Sequence, residues 1–262
     1  MTNNKTINSF WISGPLSEMN ILTIKSFVEN GHEFHLYCYD VDGTITNLVE
    51  HGVYSYFRDC KVLVWDANII LLESEIYYYK NMAGGNPAFK FGGIAERLKA
   101  EMLYKLGGWH VDLDVTCLQH FDFRFKDGKI VTMPNGLGFP ESEYVLRPHN
   151  SGGIVANIIK APAQSEFARR YVEHTKTITA DNTIWEKSFT GLNQIVKDLQ
   201  LEKYILPANV LGDDSDLYYR NFTKYGYAPE PELHAVHWCA ARQLAYEPGS
   251  FYESLLIKYK LV

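Results

Sequence analysis

The stretch LYKLGGWHVDLDV, residues 103–115, joins the end of a predicted helix to the start of a predicted strand. Apolar residues recur at helical spacing up to Leu106, and the two glycines that follow are typical of a helix end. In a strand, alternate residues share a face, so Asp112 and Asp114 are expected to point the same way. Two carboxylates on one side of a strand end suit a divalent cation bound through oxygen. The stretch therefore predicts a helix–strand unit that carries a metal site.

Strand-like and helix-like segments alternate along the rest of the chain. The predicted strands are INSFWISG, HEFHLYCYD, CKVLVWDAN, GKIVTMP, SGGIVANIIKA, YILPANVLG and ELHAVHWC, and the other predicted helices are EMNILTIKSFVENG, AQSEFARRYVEHTKTI and SFTGLNQIVKDLQ. This alternation predicts an α/β protein with a mostly parallel central sheet flanked by helices. Ligands of such sheets bind beyond the carboxyl ends of the strands. Since nothing in the chain resembles a linker, we expect a single domain over residues 1–262.

Composition and charge exclude several classes of protein. The net charge of -6 and the absence of a basic stripe argue against a nucleic-acid-binding protein. The four cysteines show no C-x-x-C spacing, which favours a reducing compartment over a zinc or disulfide framework. No run approaches the roughly 20 apolar residues of a membrane helix. We therefore expect a cytoplasmic protein, in which the apolar and basic C-terminal SLLIKYKLV leaves a peripheral contact with the inner face of the membrane open.

A second Asp-x-Asp, in the stretch DVDGT at 40–44, suggests a different enzyme. It resembles the nucleophile loop of haloacid-dehalogenase phosphatases, in which Asp40 would accept the phosphoryl group and Asp42 would act as the acid. The remaining parts of that site would be Thr132, Lys187 or Lys197, and the acidic stretch LGDDSDLYY at 211–219. The motif follows the second predicted strand instead of the first, and Asp, Gly and Thr are ordinary turn residues. We therefore keep the phosphatase as an alternative and expect a turn at the edge of the sheet at this place.

The region around GGWHVDLDV resembles the DXD region of GT-A glycosyltransferases, which reads roughly SD-x-x-R … L-x-x-x-GG-x-Y-x-D-x-D. The similar proteins are the Och1-like mannosyltransferases and capsular polysaccharide α-glycosyltransferases of bacteria, and more distantly the clostridial glucosylating toxins. The resemblance implies a GT-A fold, which is a Rossmann-like nucleotide-diphospho-sugar transferase fold. It also implies transfer of a hexose from a nucleotide-diphosphate donor, a UDP-sugar, to a glycan or other hydroxyl acceptor with retention of configuration. The cofactor implied is Mn²⁺ or Mg²⁺.

The same resemblance nominates the metal site and the catalytic residues. Asp114 is expected to bind the metal directly, and Asp112 to contact the metal, the ribose or both. The segment HAVHWCAAR resembles the family's C-terminal segment, which makes His237 the third metal ligand. Lys99 is expected to act with the two aspartates by stabilising the departing diphosphate.

The donor-binding residues are likewise implied by the resemblance. The opening FWISGPLS resembles the family's first strand, so Phe10 and Ile12 would offer backbone contacts to the base and Trp11 would stack on it. The stretch VWDAN nominates Asn68 near the ribose. The stretch NSGGIVANIIKAP begins with Asn150, which would line the sugar pocket.

One pair of residues departs from the family pattern. Glu96 and Lys99 stand where the family has the Asp and Arg that contact ribose and donor sugar, so charge is kept but the forked guanidinium is not. Arg97 is a candidate to replace that guanidinium. An exposed i,i+3 pair of Glu96 and Lys99 with no role in the donor site is the other interpretation. The departure also leaves open a non-catalytic nucleotide-sugar-binding module on the same scaffold.

Overall fold

The structure is a computed structural model, and it describes residues 5–76, 92–126, 129–132, 144–150, 152–178, 184–212, 218–239 and 244–262. The strands are β1 (Thr6–Trp11), β2 (Glu33–Cys38), β3 (Val62–Asp66), β4 (Gly108–Val111), β5 (Val115–Cys117), β6 (Phe123–Lys126), β7 (Lys129–Thr132), β8 (Val145–Pro148), β9 (Ile154–Ala161) and β10 (Ala235–His237). The α-helices are α1 (Glu18–Glu29), α2 (Val41–Glu50), α3 (Tyr54–Arg58), α4 (Gly92–Lys105), α5 (Glu166–Thr177), α6 (Ile184–Asp198), α7 (Ala208–Leu211), α8 (Tyr218–Phe222) and α9 (Phe251–Lys258).

The central sheet has six strands in the order β3-β2-β1-β4-β9-β8. Strands β3, β2, β1 and β4 run parallel, whereas β9 is antiparallel to both β4 and β8. The carboxyl ends of the four parallel strands therefore meet at one edge of the sheet, which we term the carboxyl edge. The β8–β9 connection lies at the same edge. Val111, the last residue of β4, pairs with Ile158, and the residues of β9 that precede Ile158 extend past this end of β4. The prediction of a mostly parallel α/β sheet is confirmed.

Helices cover both faces of this sheet. Neighbouring residues of β9 point to opposite sides, and they lie in different hydrophobic clusters. Ile158 packs in a cluster with Phe27 of α1, while Ile159 packs with Leu103 of α4 and Phe167 of α5. A sheet that is buried on both faces explains why its strands read as nearly continuous apolar runs in the sequence.

The Gly-Gly pair in the opening stretch has positive φ at both residues, and Gly107 also lies where two backbones approach closely. Gly107 has φ +64, and a Cβ there would lie 2.3 Å from the backbone nitrogen of Ala163. Gly108 follows with φ +76 and opens β4. Only glycine combines this left-handed conformation with this absence of side-chain volume. The pair therefore ends α4 and lets the chain enter the centre of the sheet.

The strand predicted through the two aspartates is wrong at its end. Strand β4 stops at Val111, and Asp112 to Asp114 form a turn that leads into β5. The side chains of Asn20 and Thr23 on α1 each donate a hydrogen bond of 2.9 Å to the carbonyl of Leu113. These bonds occupy a carbonyl that a continuing strand would offer to its neighbour. The two carboxylates therefore project from a turn at the carboxyl edge.

Strand β5 continues into a small second sheet. It pairs antiparallel with β10, and the register places His237 opposite Val115. Since Val115 directly follows Asp114, this pairing brings residues 122 positions apart in the chain to the same place. The strand predicted from ELHAVHWC is confirmed, and its register supplies the distant member of the site.

Two other local predictions are wrong. The stretch at 40–44 is the start of a helix, because the Asp40 side chain caps α2 by accepting a hydrogen bond of 3.0 Å from the backbone N–H of Gly43. The stretch YILPANVLG forms a 3₁₀ turn (Glu202–Tyr204) and α7 instead of a strand. Pro207 has no N–H for a sheet and stands immediately before α7, where its fixed φ suits a helix start.

The C-terminal segment is packed into the molecule. Helix α9 buries Tyr252, Leu255 and Leu256 in a cluster that includes Trp238. Most of the apolar residues that left a membrane contact open are therefore engaged in packing. Within the ranges described above, the helices are too short or too polar to cross a bilayer.

Candidate active site

Three side chains predicted to bind metal meet at the carboxyl edge. Asp112, Asp114 and His237 each place one ligand atom within 4.8 Å of the others. The imidazole Nε2 of His237 lies 3.2 Å from Oδ1 of Asp114. Among the residues that the structure describes, no other group of three His, Cys, Asp or Glu side chains is arranged in this way.

The turn that carries the aspartates is held from two sides. The backbone N–H of Asp112 donates to the carbonyl of Asn157 on β9, at 2.8 Å. The carbonyl of Asp114 accepts from the backbone N–H of Trp238, at 2.9 Å, just after β10. The large sheet and the small sheet thus both fix the turn, in addition to the bonds from α1. The geometry of the carboxylates depends on three separate parts of the fold.

Lys99 links the carboxylate of Asp112 to helix α4. Its ammonium lies 3.0 Å from Oδ2 of Asp112 and 3.0 Å from Oε1 of Glu96, and Tyr171 donates a hydrogen bond to the other oxygen of Glu96. Lys99 and Glu96 are only 3% and 5% exposed, so the interpretation as an exposed surface pair is wrong. Burial alone would lower the pKa of Lys99, but the two carboxylates outweigh it and raise the pKa above its usual value. The lysine is therefore charged and locked in place.

His110 is a partner of Asp112 that the sequence analysis did not identify. Its Nε2 lies 3.0 Å from Oδ1 of Asp112, and its ring stacks on Phe10 with centroids 5.5 Å apart. Burial lowers the pKa of His110. A neutral imidazole that faces a carboxylate donates its Nε2–H. The positive charge at Asp112 thus comes from Lys99, and its effect lowers the pKa of Asp112 to about 2 against the effect of burial.

The signal for His110 was present in the sequence. His110 and Asp112 are two positions apart, and residues at that spacing near a strand end can face the same side. Tyr171 could not be found in this way. It lies on α5, and its contact with Glu96 depends on how α5 packs against α4.

The arginine proposed as a substitute for the family guanidinium does not reach the site. Arg97 is 4% exposed, pairs with Glu101 on the same helix and donates a hydrogen bond of 2.9 Å to the carbonyl of Val172 on α5. It therefore stabilises the packing of α4 against α5.

The predicted donor-binding residues lie at or near the carboxyl edge. Phe10 and Trp11 end β1 and Ile12 follows, and all three are partly exposed; Trp11 donates its indole N–H to the carbonyl of Gly14 at 2.6 Å. Asn68 lies just beyond β3, where its side chain contacts Asp66 and accepts from the backbone N–H of Glu73, at 2.8 Å each. Asn150 is exposed in the β8–β9 connection. These contacts of the Asn68 side chain organise a turn.

The elements of the phosphatase alternative are not brought together. Asp40 caps α2, while Lys187 and Lys197 are exposed on α6, which packs on α5, α4 and β9. The side chain of Thr132 and residues 213–217 lie outside what the structure describes. In the described residues, Asp40 and Asp42 have no third metal-ligating side chain beside them.

Two buried polar side chains support His237 from the side of its ring opposite Asp114. The Nδ1 of His237 lies 2.8 Å from Nδ2 of Asn157, whose Oδ1 accepts a hydrogen bond of 2.9 Å from Nη1 of Arg147. The sulfur of Cys239 lies 3.2 Å from the same Nδ1. Arg147 and Asn157 were not singled out in the sequence, since their roles follow from the register of β8 and β9.

The fold is similar to that of a solved glycosyltransferase. The structure of the PaToxG glycosyltransferase matches at a TM-score of 0.50 and 14% sequence identity, covering 74% of this chain and 68% of that one. Two weaker matches are a transferase with two cysteine-to-serine substitutions and the ligand-free glycosyltransferase domain of the YGT toxin. Their TM-scores are 0.42 and 0.33, their identities 10% and 8%, and they cover 75% and 66% of this chain and 85% and 62% of theirs.

The first of these matches carries the assignment of the fold. The chain has a GT-A fold. The other two scores are too low to add to it. No protein-family profile and no curated protein sequence matches the chain.

The ligand atoms that the three clustered side chains offer fit a divalent cation. Carboxylate oxygens suit Mg²⁺ and Mn²⁺, and a nitrogen ligand favours Mn²⁺ over Mg²⁺, because Mg²⁺ takes oxygen ligands. Asp112 already accepts from Lys99 and His110, whereas Asp114 and His237 contact each other across the site. The arrangement therefore favours Asp114 as the stronger carboxylate ligand.

Proposed function

We propose that the protein is a metal-dependent glycosyltransferase of hexosyltransferase type. It moves a sugar from a nucleotide-diphosphate donor, a UDP-sugar, to a hydroxyl group of a glycan acceptor. The observation that carries the proposal is the cluster of Asp112, Asp114 and His237 at the carboxyl edge of a GT-A sheet. In open α/β sheets this edge is where ligands bind. A surface polysaccharide of a bacterium is the class of acceptor that we propose.

The metal would be held by Asp114 and His237, with Asp112 beside it, and it is Mn²⁺ or Mg²⁺. Bound there, it supplies positive charge that stabilises a departing diphosphate. The donor would lie along the carboxyl edge, with the base against Phe10, Trp11 and Ile12, the ribose near Asn68 and the sugar near Asn150. These donor contacts remain proposals.

The other residues of the site orient the Asp112 carboxylate and neutralise part of the negative charge around it. Lys99 fixes one oxygen of Asp112 and His110 fixes the other, so the carboxylate keeps a single orientation. Glu96, Lys99 and Asp112 together carry one negative charge, which reduces the repulsion that an approaching diphosphate would meet. In this proposal Lys99 adds its positive charge beside the diphosphate. Transfer with retention then needs no protein nucleophile, because the acceptor can attack from the face that the diphosphate leaves.

Metal-dependent nucleotide binding tests the proposal. UDP and other nucleoside diphosphates are screened by thermal shift with and without Mn²⁺. Ligand that binds only the folded state raises Tm, by about 2–4 °C for each kcal/mol in a chain of this size. We expect UDP to raise Tm with Mn²⁺ and not without it, and Asp114→Ala to abolish the rise while the variant remains folded.

Asp42→Ala is the matched control, because Asp42 is an exposed carboxylate in the first turn of α2. It should respond to UDP and Mn²⁺ as the wild type does. A wild-type response that Asp114→Ala leaves unchanged would contradict the proposed metal site.

A binding module without catalysis is the second candidate function. It is favoured by one observation, namely that the ammonium of Lys99 is already engaged by two carboxylates of the protein. Both candidates bind a nucleotide sugar. Slow Mn²⁺-dependent hydrolysis of a UDP-sugar in the absence of an acceptor would exclude the non-catalytic module.

A further inference from the structure

The buried Arg147 determines which way the amide of Asn157 points. Arg147 is fully buried; its Nη1 donates to Oδ1 of Asn157 at 2.9 Å, and its Nε donates to the carbonyl of Leu211 at 3.0 Å. A guanidinium has five N–H donors and no acceptor. The amide atom that faces it must therefore be the carbonyl oxygen, since the reverse orientation would place two donors against each other. The NH₂ group of Asn157 then faces His237.

This orientation determines the proton position on His237. The NH₂ of Asn157 can only donate, so Nδ1 of His237, 2.8 Å away, accepts with its lone pair. A neutral imidazole with a bare Nδ1 carries its proton on Nε2. That nitrogen lies 3.2 Å from Oδ1 of Asp114, so its N–H points at a carboxylate that can accept it. The hydrogen bond at Nδ1 and the hydrogen bond at Nε2 both favour the Nε2–H tautomer.

The arrangement is the reverse of the usual support for a metal-bound histidine. A histidine that binds metal through Nε2 normally donates its Nδ1–H to a carboxylate or carbonyl. In this structure the NH₂ group of Asn157, which is a donor, faces Nδ1 of His237 instead. The Cys239 sulfur, 3.2 Å from Nδ1, is a weak acceptor, and the amide at 2.8 Å is the closer and stronger partner.

We propose that Arg147 and Asn157 are positioning residues that hold His237 in its Nε2–H tautomer in the absence of metal, so that His237 donates to Asp114. The proton on Nε2 then blocks the lone pair that a metal would use. Binding through Nε2 requires that this proton leave and that another be taken up at Nδ1, which ends the hydrogen bond from Asn157. The device lowers the affinity for metal and keeps Asp114 oriented between turnovers. The statement about metal affinity rests on the proposed function, whereas the tautomer does not.

The tautomer is read directly by NMR. Two-bond ¹H–¹⁵N correlation spectra of protein labelled at histidine distinguish Nε2–H from Nδ1–H rings, and the signals of His237 are those that disappear in His237→Gln. Under conditions where the ring is neutral and no metal is present, we expect the wild-type pattern to be Nε2–H. Cys239→Ala removes the sulfur contact and should leave that pattern unchanged.

Asn157→Asp should place a proton on Nδ1 of His237. The aspartate carboxylate accepts from Nη1 of Arg147 as the amide oxygen does, and its other oxygen accepts from Nδ1–H of His237. The pattern should then show a proton on Nδ1, in the Nδ1–H ring or in the doubly protonated ring that also donates to Asp114, and the Kd for Mn²⁺ should fall by about tenfold or more, which is the scale of such supporting contacts. The added charge alone would not change the tautomer of the metal-free protein.

Arg147→Met is a second variant, which keeps the length of the side chain while releasing the amide to turn. It should raise the Nδ1–H fraction. The inference is overturned if wild-type His237 is Nδ1–H, or if the folded variants keep the wild-type pattern. If the wild type binds no Mn²⁺ while its ring is Nε2–H, the proposed function fails and the positioning role of Arg147 and Asn157 stands.

Discussion

At the scale of single residues, Lys99 shows how the site keeps a buried charge. Its ammonium is 3% exposed and lies between the carboxylates of Glu96 and Asp112. Removing one partner of such a group leaves the others buried and uncompensated, which typically costs 3–5 kcal/mol. The lysine is thus built into the fold as well as into the candidate site.

Lys99→Met should therefore lower the free energy of unfolding by about 3 kcal/mol, because the buried carboxylate of Glu96 and the partly exposed carboxylate of Asp112 would face each other without a cation. Lys99→Arg keeps the charge and is the matched control, with a smaller loss that reflects its larger head group. Both are measured by urea denaturation. A loss below about 1 kcal/mol for Lys99→Met would show that the carboxylates do not depend on this ammonium.

At the scale of elements, helix α2 shows where a motif was misread. The Asp-Val-Asp-Gly-Thr sequence suggested a nucleophile loop or a turn, yet Asp40 caps a helix that runs to Glu50. The signal was an Asp followed by apolar residues at helical spacing, and it was obscured by Gly43, which is unfavourable inside most helices. A Cβ at Gly43 would lie 2.2 Å from Oδ2 of Asp40, so a larger residue there would require the capping carboxylate to shift.

Substitutions at Asp40 separate the helix cap from a catalytic role. Asp40→Asn preserves a good cap and should leave stability nearly unchanged, whereas Asp40→Ala should cost about 1 kcal/mol. Neither should alter the Mn²⁺-dependent binding of UDP measured by thermal shift. Loss of a phosphatase activity in the folded Asp40→Asn variant would instead support the alternative enzyme.

At the scale of the whole molecule, four distant segments converge on one edge of the sheet. Lys99 comes from α4, Asp112 and Asp114 from the turn after β4, Asn157 from β9 and His237 from β10. The alternation of strands and helices in the sequence was sufficient to predict the α/β class. The metal cluster was also predictable, because its members lie in motifs.

The supporting residues could not be predicted in the same way. Asn157 and Arg147 read as single polar residues in apolar strands, and their purpose appears only when the register of β4, β9 and β8 is known. Tyr171 depends likewise on the packing of α5 against α4. Contacts that arise between elements leave no local pattern in the sequence, which is why the three clustered side chains were identified from the sequence and their supports were not.

Donor turnover tests the central claim most directly. UDP-glucose and UDP-N-acetylglucosamine serve as probe donors, and release of UDP is followed with Mn²⁺ or with EDTA for the wild type and Asp114→Ala. The account predicts Mn²⁺-dependent release by the wild type and a loss of about a hundredfold or more in the variant, since a bound metal supplies several kcal/mol of stabilisation to the departing diphosphate. Release of UDP by folded Asp114→Ala at the wild-type rate, with or without Mn²⁺, would contradict it.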